Sequence, residues 1–116
     1  MLRRAALSLV MFLSLLVPAS AHHGWGSYDS SKAVTVQGKI LTADFANPHV
    51  IVTIEGQGKT WTVTLAPVSR MRARGATAEM IAPGKVITAV GYVSTRDANE
   101  IRAERITVDG KTFEMR

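Results

Sequence analysis

The chain has 116 residues, no cysteine, and 14 basic against 9 acidic side chains for a formal charge of +5. Without cysteine there is no disulfide framework, no thiolate nucleophile and no cysteine metal site. The charge falls to +3 once Arg3 and Arg4 are set aside, 12 basic against 9 acidic, and nucleic-acid binding is not expected, because it needs a clustered basic face.

The first residues have the three parts of a secretory signal: basic Arg3 and Arg4, an apolar run over residues 5–17, then Pro18 and the small-residue site Ala19-Ser20-Ala21. The run is 13 residues long, short of the roughly 17 to 25 that span about 30 Å of hydrocarbon as a helix. Residues 1–21 are therefore expected to be a cleaved signal peptide, with no stable membrane anchor left behind and a periplasmic or secreted product. Removing those 21 leaves 95 of the 116 residues, a length for one domain with one core.

Cleavage after Ala21 would make His22 the first residue of the mature chain. Its free α-amino group, its own imidazole and the imidazole of His23 then offer three nitrogen donors before any folding. Residues 22–32 read as a flexible arm, since Gly24-Trp25-Gly26-Ser27-Tyr28-Asp29-Ser30-Ser31 is rich in turn formers and lacks a helical or strand period. Trp25 and Tyr28 are the side chains that can pin this arm to the domain or touch a ligand.

From Ala33 the pattern alternates. Val34, Val36, Gly38 and Ile40 share one face, then Leu41, Ala43 and Phe45 the other; the change of phase predicts a bulge at Ile40-Leu41, and Gly38 predicts a bend. Asn47-Pro48 breaks the ladder because proline lacks a donor. A second strand runs from His49 to Ile54 with Val50, Val52 and Ile54 on one side. A third follows the Gly56-Gln57-Gly58 connection, with Trp61, Val63 and Leu65 alternating against threonines.

Residues 69–74 predict a short helix stopped by Gly75, and Thr77 caps a further turn before Pro83-Gly84. Residues 85–93 read as a strand buried on much of both faces, carrying Val86, Ile87, Val90, Tyr92 and Val93. A last strand near residues 101–108 points Ile106 and Val108 inward, and Asp109-Gly110 signals a hairpin into a short edge piece. Strand, strand, strand, helix, strand, strand is the order of a small five-stranded Greek-key barrel of the OB type, all β with one short helix, over residues 33–116. An open antiparallel sandwich is the other arrangement this order permits.

The three histidines, His22, His23 and His49, are the candidate metal ligands. A set of amine and imidazole nitrogens without thiolate suits Cu(II), Ni(II) or Zn(II), and affinity in such sites peaks at copper. His22 amine and Nδ1 can close one chelate ring, with His49 completing a three-nitrogen plane; His23 is an alternative ligand. Asp44 and Asn47 are candidates for orienting an imidazole or lining a ligand site. Reach is the constraint: a straight strand over residues 33–45 covers about 40 Å at roughly 3.3 Å per residue, and the arm extends about 36 to 40 Å at most. The arm must turn back along the first strand, or the site is shared in a homodimer. The plain alternative is a polar chain end and a corner histidine hydrogen-bonded to a backbone carbonyl.

Catalysis is not expected, since no HExxH-type pair, GxSxG or glycine-rich phosphate loop is present; Glu100 and Glu104 read as surface residues near an edge strand. A metal-free alternative is an OB-like module for an oligosaccharide, an anionic ligand or a protein partner, with Trp61 as the stacking platform and Arg70, Arg72 and Arg74 for an anionic group. Ala21-His22-His23-Gly24-Trp25 after a signal, Tyr28-Asp29, Val34-Thr35-Val36-Gln37-Gly38, Asn47-Pro48-His49-Val50, Trp61-Thr62-Val63, Arg72-Ala73-Arg74-Gly75 and Pro83-Gly84-Lys85-Val86 together resemble a family of short exported bacterial proteins, the domain of unknown function 6152. The resemblance implies export and a small β-rich domain and carries no activity with it. Gly24 and Gly26 make the arm richer in glycine than the resemblance leads one to expect.

Overall fold

Alternation along the first strand sets the barrel wall. In a computed structural model describing residues 24–116, β1 covers Val34–Asp44, and Val36 and Ile40 are each 1% exposed. Leu41 is the extra residue where the register with the next strand slips between Ile40 and Thr42, so the bulge falls where the change of phase predicts it. A bulge bends its strand and raises the local twist, which lets β1 pair with one neighbour along its first half and another along its second. At the crossing the backbones nearly touch: a Cβ on Gly38 would run into the carbonyl of Glu55.

β2 (Ile51–Gly56) and β3 (Lys59–Thr64) form a hairpin whose central residues, Gln57 and Gly58, both have positive φ, as a two-residue turn matched to strand twist requires. Val50, Val52, Ile54, Val63 and Leu65 are essentially inaccessible. Trp61 joins them at 6% exposed, with the Lys59 ammonium 3.8 Å from its ring centroid. Its place beside Val63 and Leu65 on the inward face makes it core, so the expectation of Trp61 as an exposed stacking platform is overturned.

α1 (Val68–Ala73) ends at Gly75, whose φ of 83° lets the chain reverse, and its Met71 is fully buried. β4 (Val86–Val93) is buried on its inward face and half-buried along most of its outward one, with Val86 the exposed end. Ile87 and Ala89 point inward, whereas Val86 is 55% exposed. A barrel wall has only one inside, so the outward apolar residues of β4 are covered only where other chain crosses them.

β5 (Glu100–Val108) carries a second bulge: Val90 opposes Arg105 and Gly91 opposes Ala103, leaving Glu104 as the extra residue. Ile101 and Ala103 point inward before it and Ile106 and Val108 after it. Asp109 and Gly110, both at positive φ, turn the chain into β6 (Lys111–Glu114), which pairs with β5 and buries Phe113.

The sheet order is β3-β2-β1-β4-β5-β6, and a parallel pairing of β3 with β5 closes the first five strands into a ring. This is the five-stranded barrel with a helix between the third and fourth strands, not the open sandwich. Its interior is one apolar cluster to which α1 and β6 contribute. Among the described residues no helix is long and apolar enough to cross a membrane.

Candidate functional site

The polar residues of interest gather where the β1–β2 corner, the end of β3 and the start of β5 meet. His49 stands at the corner, half-buried, and the residue after it is held on both sides: Val50 N–H donates to the Ala66 carbonyl at 2.9 Å, and Leu65 N–H donates to the Val50 carbonyl at 2.8 Å. Asn47 Oδ1 accepts from the Val68 amide at 3.1 Å. That side chain therefore supports the start of α1.

The segment before β1 folds back over the same region as a strap. Residues 25–27 make one 3₁₀ turn, Tyr28 bridges to Ser94, and Asp29 N–H donates to the Val93 carbonyl at 2.9 Å. The Ser27 carbonyl accepts from both the Thr95 amide at 2.9 Å and the Thr95 hydroxyl at 3.0 Å. Gly24 and Gly26 are open at their Cβ positions, and the segment is tied down by the residues between and after them.

Two aromatic side chains anchor the strap. Trp25 meets Tyr92 edge-on, with centroids 6.0 Å apart and planes at 81°, and it carries two guanidinium groups over its ring, Arg102 at 4.2 Å and Arg116 at 4.3 Å. Arg116 is oriented by Glu104 through an ion pair of 2.9 Å. Contacts of this kind are worth about 0.5–1 kcal/mol when exposed and about 2 when desolvated. The Tyr28 hydroxyl donates to Glu100 Oε1 at 3.1 Å, and the Thr64 hydroxyl donates to the same oxygen at 3.0 Å.

Arg102 links strap and corner. It is 9% exposed, and its Nη2 donates to His49 Nε2 at 3.3 Å while its Cζ lies 6.0 Å from the Tyr28 ring. Burial pulls the Arg102 pKa down, as do the neighbouring charges of Arg116 and Arg70; a guanidinium nonetheless stays protonated in proteins. Burial pushes the Tyr28 phenol above its ordinary value, and the charge of Glu100 adds to that. The Ser31 hydroxyl and amide hold the Asp29 carboxyl below its ordinary value. Tyr28, Pro48, His49, Ile51, Thr64 and Glu100 line a cavity of about 220 Å³.

Of the residues expected from the sequence, His49, Trp25 and Tyr28 are brought together here. His22 and His23, and the signal region with them, lie outside the described residues. Asp44 is exposed at the end of β1, opposite Ile51. Among the described residues no group of three or more His, Asp or Glu side chains is placed to hold a metal. The helix arginines do not converge on one anion: Arg70 and Arg74 reach the carbonyls of Met115 and Arg116, whereas Arg72 lies 5.8 Å from the Phe45 ring.

Sequence reading missed Thr64, Glu100 and Arg102. β5 does neighbour the edge strand β6, but Glu100 is half-buried and hydrogen-bonded to Tyr28 and Thr64 instead of lying solvated on the surface. The available signal was that Glu100 and Arg102 alternate with Ile101 and Ala103, which puts them on one outward face.

The ring of five strands, the helix after β3 and a polar mouth built from the β1–β2 corner, β2, β3 and β5 define a small OB-type barrel. Such barrels take extended ligands across the second and third strands and the flanking loops. Residues 10–103 match the family of unknown function DUF6152, and the chain belongs to that family. No curated protein matches.

Among solved structures, it is similar to a chain of the S. pombe Stn1–Ten1 complex, at 17% identity and a TM-score of 0.53, over 66% of this chain and 57% of that one. It is also similar to the ZRD-deleted mutant of TiaS in complex with agmatine, at 17% identity and 0.53, over 72% of this chain and 26% of that one. The chain thus spans little more than half of the first and about a quarter of the second. At this identity the likeness is one of fold.

Proposed function

We propose that this protein is an exported, non-catalytic binding module whose ligand site is the mouth at His49, and that the ligand is a Cu(II) ion held by the mature N-terminus. The donors are the α-amino and imidazole nitrogens of His22 together with His49, with His23 as the alternative imidazole. The observation that carries this reading is the return of the strap, which makes Tyr28 and His49 line one cavity. His22 is three residues from Trp25, a span of at most about 11 Å at roughly 3.6 Å per residue. Trp25 in turn lies over Arg102, the residue that donates to His49. The docking of residues 25–29 beside this corner supports closure within one molecule over a site shared between two copies.

Amine and imidazole donors without thiolate favour copper over the other divalent metals. Cu(II) titration of correctly processed protein, against the same chain with one extra residue before His22, tests the site. Affinity is expected to fall at least tenfold when the terminal amine is moved, and again in His49→Ala. Equal tight binding by the extended chain removes the amine from the ligand set.

A second reading, an anionic or protein ligand at the same mouth, is favoured by the pair of guanidinium groups over Trp25. Binding of such a ligand to metal-free protein that disappears in Trp25→Ala would support it.

A further inference from the structure

We infer that Arg102 is a built-in competitor for the metal, a guanidinium that holds the coordinating lone pair of His49 until a metal displaces it. This rests on the reading of His49 as a ligand. It adds a residue that sets how strong a metal must be to enter.

The argument starts from what each group can do. Arginine has five N–H donors and no acceptor, so in the 3.3 Å contact Arg102 Nη2 is the donor and His49 Nε2 must accept with its in-plane lone pair. A neutral imidazole has one such lone pair and one N–H. A metal that binds Nε2 needs the lone pair the guanidinium is using. A metal that binds Nδ1 needs the ring proton on Nε2, which then points an N–H at an N–H. Either mode of coordination breaks the bond, so metal binding and the Arg102–His49 contact exclude each other.

The surroundings allow the exchange without leaving the charge stranded. Arg102 lies against the rings of Trp25 and Tyr28, and Glu100, two residues back on the same outward face of β5, presents a carboxylate at the same cavity. Released from His49, the guanidinium keeps the aromatic faces of Trp25 and Tyr28. Because it covers Trp25 at 4.2 Å, its displacement also alters the environment of that indole. Metal entry and strap packing are thereby coupled through one side chain.

Copper affinity of the processed protein, measured against a chelator of known strength in wild type, Arg102→Met, His49→Ala and the double variant, tests this. A hydrogen bond from a charged donor is worth enough that removing the competitor should tighten Cu(II) binding by roughly tenfold. In the His49→Ala background the same substitution should change nothing, which is the signature of a direct pairwise effect. Unchanged or weaker binding by Arg102→Met, with His49→Ala still impaired, overturns the competitor role alone. Wild-type affinity in His49→Ala instead removes His49 from the ligand set, and the competitor role with it.

A second measurement needs no variant. Long-range proton–nitrogen correlation spectra of metal-free wild type should show His49 with the proton on Nδ1 and Nε2 bare. A proton on Nε2 in the metal-free protein overturns the inference even where Arg102→Met fails to fold.

Discussion

The barrel wall and the strap seam are built by different physics. In the wall, Val50, Val52, Ile54, Val63, Ile87, Ile101 and Ile106 are each 0% exposed, and stability comes from many apolar contacts shared around a closed ring. In the seam a handful of polar contacts carry the docking: the two backbone hydrogen bonds of the Tyr28–Ser94 bridge, the Tyr28–Glu100 and Thr64–Glu100 bonds, and two guanidinium groups over one indole. Apolar burial is additive and indifferent to direction, whereas each seam contact depends on a particular geometry. A seam of this kind is expected to open as a local unit while the wall stays folded, as segments with few buried apolar contacts do.

The strongest way to break this contrast is to damage the wall. A Cβ on Gly91 would run into the Arg102 carbonyl at the β4–β5 bulge, so Gly91→Val should push two strands apart. The expected loss is about 3 kcal/mol or more, in the range of overpacked or strained cores, read as a large fall in unfolding temperature with strap and barrel lost together. A variant that unfolds within a degree of wild type would show that the bulge tolerates the extra atoms.

Next comes the seam itself. Trp25→Ala removes the ring on which Arg102 and Arg116 rest and should cost about 1–2 kcal/mol of docking, with little change in global unfolding. Hydrogen exchange reads the distinction: the amides of Asp29 and Thr95, bonded to the Val93 and Ser27 carbonyls, should exchange faster while those of β2 and β3 do not. Equal acceleration across the barrel would mean that seam and wall are one cooperative unit.

The smallest effect is a titration. The Tyr28 phenol is held above its ordinary value by burial and by Glu100, so the fold favours the neutral, donating form. Its contribution is therefore fully present below the ordinary phenol pKa of about 10 and is lost as pH rises through the higher folded value. Strap exchange in wild type should stay constant to about pH 10 and then accelerate, after allowance for the intrinsic rate. Tyr28→Phe should be weaker by about 1 kcal/mol at neutral pH and should lose the alkaline dependence. The same dependence persisting in Tyr28→Phe would place its origin elsewhere.

Much of the wall is legible in the order of residues. Val36 and Ile40, then Val52 and Ile54, then Val63 and Leu65 alternate in a way only a half-buried strand needs, and the slip at Leu41 showed in the change of phase. Gly75 and Asp109-Gly110 marked the helix end and the last turn because those positions require positive φ. What covers the outer side of β4 was not legible, because a run such as Val90-Gly91-Tyr92-Val93 looks the same under a second layer or a strap. The site was legible only in part. His49, Trp25 and Tyr28 stood out as residue types with chemistry to offer, whereas Glu100 read as a surface charge and Arg102 drew no reading.

Residue order alone therefore carries local features: the strand periods, the bulge at Leu41 and the turns. Adjacency belongs to the fold. The parallel contact of β3 with β5 closes the ring, and it leaves no mark in either strand because pairing partners are chosen by the whole sheet. The same closure brings Arg102 to His49, 53 residues apart in the chain. It also brings the Tyr28 hydroxyl to Glu100, 72 residues away. Side-chain periodicity records which way a residue faces; it carries no information about which distant residue will be facing it.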